Sequence, residues 1–508
     1  MDIIKNFDSL SEFVFGEGNA VLEKCDAGIL VKNRSEKYSS LAAHADKFLG
    51  THDAYRSRFV LKTCRGSVPI AAYHKITIEY IGLEYIIYEF GKSQIITSED
   101  FSEIEVYTNI PSGANVKDII AYFIQGSGAP YEDIIVKEFE SSPAEPLKTV
   151  SANRTKTPLK RQENMTFGVI RWDAYAQTGI YGEDNPSDQV ARALSPAKYH
   201  FMAPFFSRVT GKDKIEFPPA DQAQFDREAE LAVKAGIDYF AYCWYNNSGT
   251  MSYARRQHVN SKYADRLKMC AIIGVSAIDN ETVDELADNM TLDCYLKFDN
   301  RPVVYVYDAF KQNDYVNKVI DAAKRRGIKE ELYLIGMADV NPFIVNNLLE
   351  KGMDAISAYS QGSTLADEPY ETLAAEAEKK NADKYVFADK IDVAPLICCG
   401  RDTRPRIETP VSWANHGYGG HYTLQPTGAE IYTHAKRVLE SLKDSVPNTC
   451  IVYAWNEHDE GGWCCPTIAV DAEGEPIYDA DGNPVLNSTN LNALAKAIKE
   501  YRAQSIRP

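Results

Sequence analysis

Residues 220–244 read ADQAQFDREAELAVKAGIDYFAYCW. Residues 220–235 are amphipathic with a helical period, Gly236 stands where a helix C-cap belongs, and residues 239–244 form a short apolar run. A continuously apolar run suits a strand buried on both faces, as strands of a parallel sheet are. Helix, glycine and buried strand together make part of a βα repeat. The same texture recurs on either side. Apolar runs occupy 167–172, 269–275, 302–307, 332–337, 355–359, 393–399 and 451–455. Helix-period stretches occupy 283–289, 314–326, 343–351, 370–380 and 428–442, and Gly327 repeats the C-cap position. A last helix is expected over 490–502, with Thr489 as its N-cap. Eight strand runs in about 340 residues are what a (β/α)8 TIM barrel requires.

Upstream the texture is different. Runs at 28–31, 58–63, 75–82, 85–90, 103–107 and 133–139 are short, alternating, and rich in Ile, Val and Tyr. Such runs, separated by turn residues, predict a β-sandwich. Residues 141–164 carry Pro143, Pro146 and Pro158 among Ser, Thr and Lys and offer little core. The expectation is a multidomain chain: an N-terminal all-β sandwich over 1–140, a linker over 141–164, and an α/β barrel over 165–508.

Composition narrows the function. The chain has 508 residues, a net charge of −17, 44% hydrophobic and 25% charged residues, which excludes a disordered chain, a collagen, a coiled coil and a small disulfide scaffold. The acidity argues against nucleic acid and against anionic membrane as partners. No apolar stretch approaches membrane-spanning length. Met1-Asp2-Ile3-Ile4-Lys5 lacks the basic, then apolar, opening of a secretion signal, and the ten cysteines read as free thiols, so a cytoplasmic setting is expected. No CxxC pair and no phosphate-binding glycine motif occurs, so neither metal nor cofactor is expected. Asp479-Ala480-Asp481-Gly482-Asn483 has Asn490 at the twelfth position, which favours a hairpin turn over a calcium loop. Residues 1–165 hold 19 Lys and Arg against 23 Asp and Glu, so −13 of the net charge lies in the remainder, and all five Trp follow residue 171.

In a barrel of this kind the chemistry gathers where the strands end. Just past seven of the eight runs stand Trp172, Asp173 and Tyr175; Trp244, Tyr245, Asn246 and Asn247; Tyr307 and Asp308; Asp339; Tyr359, Ser360 and Gln361; Arg401 and Asp402; and Trp455, Asn456, Glu457, His458, Asp459, Glu460 and Trp463. Aromatic faces beside short polar arms suit a sugar, whose C–H face stacks while its hydroxyls pair. Asp173, Tyr175, Trp244, Tyr245, Tyr307, Tyr359, Arg401, Asp402, Trp455 and Trp463 are therefore the expected substrate-binding residues. Asp173 also reads as a nucleophile or a structural hydrogen-bond partner, and Arg401 and Asp402 also read as a mutual brace. His416 and His421 lie in a Gly- and Tyr-rich loop, a sugar-contacting loop or plain surface. Glu457 and Glu460 are three apart. On a helical turn their Cβ atoms would lie about 5–6 Å apart. That proximity matches the carboxyl pair of a retaining glycosidase, and close like charges raise one pKa.

The segment Ala454-Trp455-Asn456-Glu457-His458-Asp459-Glu460-Gly461, followed by Pro466, resembles the Trp-Asn-Glu-x-x-Glu-Gly signature of the glycoside hydrolase family 99-like (WbsX-like) TIM-barrel proteins, related to endo-α-mannosidases. Residues 235–240 with Trp244-Tyr245 are similar to that family's second strand, and Pro395 through Gly400-Arg401-Asp402, with Arg404 and Arg406, to its seventh. The resemblance spans about residues 166–505. It implies a retaining glycoside hydrolase acting on an oligo- or polysaccharide, Glu460 as general acid/base and Glu457 as base on the 2-hydroxyl or as nucleophile. Two other classes are carried beside it: a non-catalytic glycan-binding protein, and a glycosyltransferase on the same barrel. The sandwich, which lacks Trp, is expected to pack, to assist the cleft, or to mediate a homo-oligomer.

Overall fold

The computed structural model describes residues 4–5, 9–13, 20–35, 38–80, 82–111, 113–125, 131–146, 157–175, 185–247, 249–309, 314–363, 366–413 and 421–505. His416 and part of the expected linker fall outside these. The chain divides into two compact units, Met1–Thr149 and Val150–Pro508.

The N-terminal unit holds two largely antiparallel sheets. One runs Ser102–Asn109, Ala54–Thr63, Ile134–Pro143, Gly28–Lys32, Val21–Cys25, with Ile4–Lys5 parallel to the third of these. The other runs Ser9–Phe13, Ser40–His44, Asn115–Gln125, Ser67–Tyr80, Leu83–Phe90, with Gln94–Thr97 also on Ser67–Tyr80. Alternation explains the pairing: Ile70, Ala72, Ile76 and Ile78 are buried while Lys75, Thr77 and Glu79 between and beyond them are not. Phe59 of the first sheet meets Phe123 of the second, edge to face, at 6.1 Å.

His74 is enclosed among these apolar residues and bonds Thr108 Oγ1 at 2.7 Å and Ser57 Oγ at 2.6 Å. Burial pushes this imidazole down to about 3, so it stays neutral in the fold. The unfolded chain takes up that proton near pH 6.5. Acidification between pH 6.5 and 3 should therefore cost about 1.4 kcal/mol of stability per pH unit through this residue. Urea melts of the whole protein followed by circular dichroism from pH 7 to 5 should fall less steeply for His74→Asn than for the native chain. Equal slopes would show that His74 takes no part in the acid response.

The C-terminal unit is built on a parallel sheet. Its strands lie in the order Asp392–Val393, Ala355–Ser357, Tyr333–Met337, Arg301–Val306, Lys268–Ile273, Tyr239–Cys243, Thr166–Arg171, Thr449–Tyr453, Leu396–Cys398. The first and last of these are pieces of one stretch, separated by Ala394 and Pro395, so the path of eight strand positions returns to its start, the arrangement of a TIM-like barrel. Counted along the chain, Thr166–Arg171 is the first strand and Thr449–Tyr453 the eighth. Helices stand between the strands, among them Gln222–Ala235, Asn280–Asn289, Tyr370–Tyr385 and Gly428–Ser441, with Thr489–Ser505 last. Asp221, Asp279, Asn341 and Thr427 cap helices, each side chain accepting from the backbone N–H three residues on. Gly236 is left-handed at φ 88°, as its C-cap position requires. Within the ring, the Tyr239 ring fills the space beside Gly168, where a Cβ would lie 2.0 Å from it, and its hydroxyl bonds Tyr305 at 2.8 Å and Thr449 at 3.0 Å. Residues 157–164 lie along this unit: Gln162 N donates to Val446 O, and Arg161 to Ser445 O.

Candidate active site

The eighth strand ends at Tyr453, and the next residues turn back across the strand ends. Asn456 latches this segment to the first strand: its Oδ1 accepts from Trp172 N at 2.8 Å and its Nδ2 donates to Trp172 O at 2.7 Å. Residues His458–Glu460 make a single tight turn closed by Gly461 at φ 75°. A Cβ on Gly461 would lie 2.2 Å from Asp402 N, and one on Gly462 2.2 Å from the Tyr453 ring. Only glycines let the turn sit this close to the seventh-strand end, where Asp402 N donates to Glu460 O at 2.6 Å. Gly461→Ala adds both left-handed strain and a backbone clash, and should cost about 3 kcal/mol. A thermal melt unchanged by this substitution would contradict the close approach.

The turn places three carboxylates around one guanidinium. Arg406, from the short helix Arg404–Glu408, binds Asp459 through Nε at 2.6 Å and Nη2 at 3.1 Å, reaches Glu457 Oε2 at 3.4 Å, and bonds Glu460 Oε1. Glu460 Oε2 accepts in addition from Arg401 Nη1 and from the Tyr453 hydroxyl. Glu457 Oε1 and the Tyr359 hydroxyl lie 2.7 Å apart, within hydrogen-bond reach. The two acids thus differ in surroundings. Burial first, then the charge of Glu460, push the Glu457 carboxyl up to about 8 against the pull of Arg406. Burial raises Glu460 as well, but Arg401 and Arg406 outweigh it and hold that carboxyl down near 2. The surroundings thus push the two carboxyls in opposite directions, favouring the proton on Glu457 and the charge on Glu460.

Above the pair opens a cavity of about 500 Å³. Trp172, Trp413, Tyr245, Tyr307 and Tyr359 form its aromatic wall, with Met251, Val275, Arg406, Glu457 and Glu460 among the other lining residues. The Trp172 and Trp413 rings lie 5.6 Å apart, Trp172 Nε1 donates to Tyr245 Oη at 3.1 Å, and the Arg406 guanidinium stands 5.0 Å from the Trp172 ring.

Of the residues expected from sequence, Glu457, Glu460, Tyr245, Tyr307 and Tyr359 line this cavity, and Arg401 touches it through Glu460. The others do not reach it. Trp455 is fully enclosed, with its Nε1 on Glu228 Oε2 at 2.8 Å and its ring 5.2 Å from that of Phe240. Asp173 is buried beside it and accepts from Arg171 Nε at 2.8 Å, while Arg171 Nη1 donates to Glu228. Trp244 is enclosed beneath the Arg255 guanidinium at 4.4 Å. Trp463 is buried, stacked on His458 at 5.6 Å. Tyr175 donates to Asn456 O at 2.6 Å and accepts from His458 N, and so braces the turn. Asp402 is fully buried and takes both Arg404 Nε and Nη2, so its brace is Arg404 rather than Arg401. These six are buried and are not among the residues that line the cavity. Asp479 accepts the backbone N–H groups of Asp481 and Asn483, closing a tight turn.

Trp172 stood among the strand-end residues and Trp413 only in the count of five indoles, while Arg406 was visible only as part of a motif and Met251 and Val275 not at all. As for metal-binding donors, His44, Asp46 and Asp118 of the N-terminal unit bring one ligand atom each within 4.8 Å of one another. They belong to no part of this cavity.

No known protein family and no curated protein matches the chain. Among solved structures, the GH99 endo-alpha-mannosidase from Bacteroides thetaiotaomicron is similar at 15% identity and a TM-score of 0.42, over 66% of this chain and 97% of that one. The CBM22-1–GH10 modules of an endo-1,4-beta-D-xylanase from Clostridium thermocellum, complexed with xylohexaose, are similar at 12% identity and a TM-score of 0.24, over 97% and 95%. A CBM22 xylan-binding domain from Paenibacillus barcinonensis is similar at 11% identity and a TM-score of 0.22, over 27% of this chain and 91% of that one. No described helix is long and apolar enough to cross a membrane.

Proposed function

We propose that this chain is a retaining glycoside hydrolase, built as a (β/α)8 barrel with an N-terminal β-sandwich, cleaving a glycosidic bond of an oligo- or polysaccharide with Glu457 and Glu460. The observation that carries this is the pair itself: buried Glu457 and partly buried Glu460 share Arg406 beneath an aromatic-walled cavity, in surroundings that push the first carboxyl up and hold the second down. Acid–base cleavage needs that division of labour. Tyr245, Tyr307 and the two indoles offer stacking faces for sugar rings.

The resemblance in sequence assigns the general acid/base to Glu460. The charges around the resting pair favour the other order, with the proton on Glu457, because Arg401 and Arg406 hold Glu460 ionised. The test is digestion of a panel of oligosaccharides, product detection by chromatography, and anomeric assignment by proton NMR. Net retention is expected. With Glu457 as the acid, the rate holds through neutrality and falls as pH rises through about 8, where Glu457 loses its proton. Inverted product would overturn retention and the roles given to the pair; no cleavage of any glycan by a chain that binds one would leave the barrel as a glycan-binding protein.

A further inference from the structure

Glu457 does not end its hydrogen bonding at Tyr359. Cys243, at the end of the second strand, places its Sγ 3.3 Å from the Tyr359 hydroxyl, which in turn lies 2.7 Å from Glu457 Oε1. The cysteine is buried, and its thiol is pushed well above its ordinary range, first by burial and then by the charge of Glu457, so it remains S–H. It is thus no nucleophile, but it has one proton to give and a lone pair to offer.

A tyrosine hydroxyl has a single proton. When Glu457 is ionised, Tyr359 gives that proton to Oε1, and its oxygen is left to accept from the thiol. When Glu457 is protonated, Oε2 faces Arg406 Nη2 at 3.4 Å, a group that only donates. The carboxyl proton is then accommodated on Oε1, where Tyr359 can accept it, and the tyrosine proton turns to the sulfur.

We propose that Cys243 is a positioning residue: its thiol terminates a hydrogen-bond chain, Cys243–Tyr359–Glu457, whose direction reverses when Glu457 gains or loses its proton. No bond other than O–H and S–H contacts is remade, and the proton that enters or leaves Glu457 comes from solvent or substrate. The chain couples the sixth and second strands to the turn after the eighth. It gives Glu457 a partner in both protonation states, which a fixed donor such as Arg406 cannot. The catalytic meaning of this rests on the proposed role of Glu457; the chain itself does not.

Glu457 titrates in a crowded field. Glu460 and Asp459 face it from its own turn, Arg406 and Arg401 from the seventh-strand end, and Tyr453 from the eighth strand. Tyr359, Tyr245 and Tyr175 face it from the sixth, second and first strand ends. The Cys243 substitutions below leave all of these groups unaltered, because they change only the far end of the chain.

The experiment is infrared difference spectroscopy on the full-length protein without substrate. The native spectrum minus that of Cys243→Ala isolates one S–H stretching band, and native minus Glu457→Gln isolates the carbonyl band of protonated Glu457. As pH rises through the Glu457 transition, the S–H band should move to lower wavenumber, because the thiol becomes a donor. It should stay fixed in Glu457→Gln and in Tyr359→Phe. Cys243→Ala should raise the Glu457 midpoint by about half a pH unit, the size expected for losing one weak polar partner, and Cys243→Ser should hold it at or below the native value. An S–H band that does not move while the Glu457 carbonyl band disappears would overturn the proposal. Since no glycan is present, that outcome is separate from any failure to find glycosidase activity.

Discussion

Glu460→Gln and Glu457→Gln are each expected to lower turnover by about 10²–10⁴-fold while leaving the fold and glycan binding intact. The two variants should then part company on an activated substrate. An aryl leaving group of low pKa departs without a proton, so the variant lacking the general acid recovers on it, whereas the variant lacking the base or nucleophile does not. The charges of the resting site place the recovery in Glu457→Gln, since Glu460 is held ionised by Arg401 and Arg406. Recovery in Glu460→Gln instead would mean that bound substrate redistributes the proton. Unaltered turnover in both would remove the pair from the chemistry.

Arg406→Met carries the largest expected loss of stability. The native guanidinium is buried and compensates Asp459, Glu457 and Glu460 together. Without it, three acids are left close together, with Asp459 wholly enclosed. Removing one partner of a buried ion network typically costs about 3–5 kcal/mol, since the remaining charge stays desolvated. Urea denaturation near pH 7 should show that loss. Lowering the pH should recover part of it by protonating the stranded carboxyls, a recovery that a mere packing defect would not show. Arg406→Lys should fall between, because an ammonium keeps the charge but not the two-point grip on Asp459.

Much of the barrel unit was legible because buried parallel strands are apolar throughout. Tyr239–Cys243, Arg301–Val306 and Thr449–Tyr453 are buried along their whole length and lie within two residues of the apolar runs. The helix Pro186–Leu194 was overlooked although Asn185-Pro186, an N-cap followed by a first-turn proline, announces it. In the N-terminal unit, Asn115–Gln125 escaped because a bulge between Val116 and Asp118 interrupts its alternation. Glu457, Glu460, Tyr245, Tyr307 and Tyr359 were legible from position alone, each just past a strand. What position cannot supply is the side of the pleat. Trp244 and Trp455 also follow strands, yet they meet Arg255 of the helix Tyr253–Val259 and Glu228 of the helix Gln222–Ala235. Val275 was passed over because nothing charged or aromatic marks the third strand's end. Arg406 became a central residue only once three acids, all from one turn, were seen around it.

The placement of the indoles has a practical use. All five tryptophans belong to the C-terminal unit, and two of them, Trp172 and Trp413, face the cavity. Tryptophan fluorescence, excited at a wavelength tyrosine does not absorb, therefore ignores the N-terminal unit and doubles as an unlabelled occupancy gauge. A ring of sugar settling on Trp413, which is 38% exposed, should change the emission, and Trp413→Phe should silence most of that change. Ligands could thus be screened by light alone, before any reaction is known.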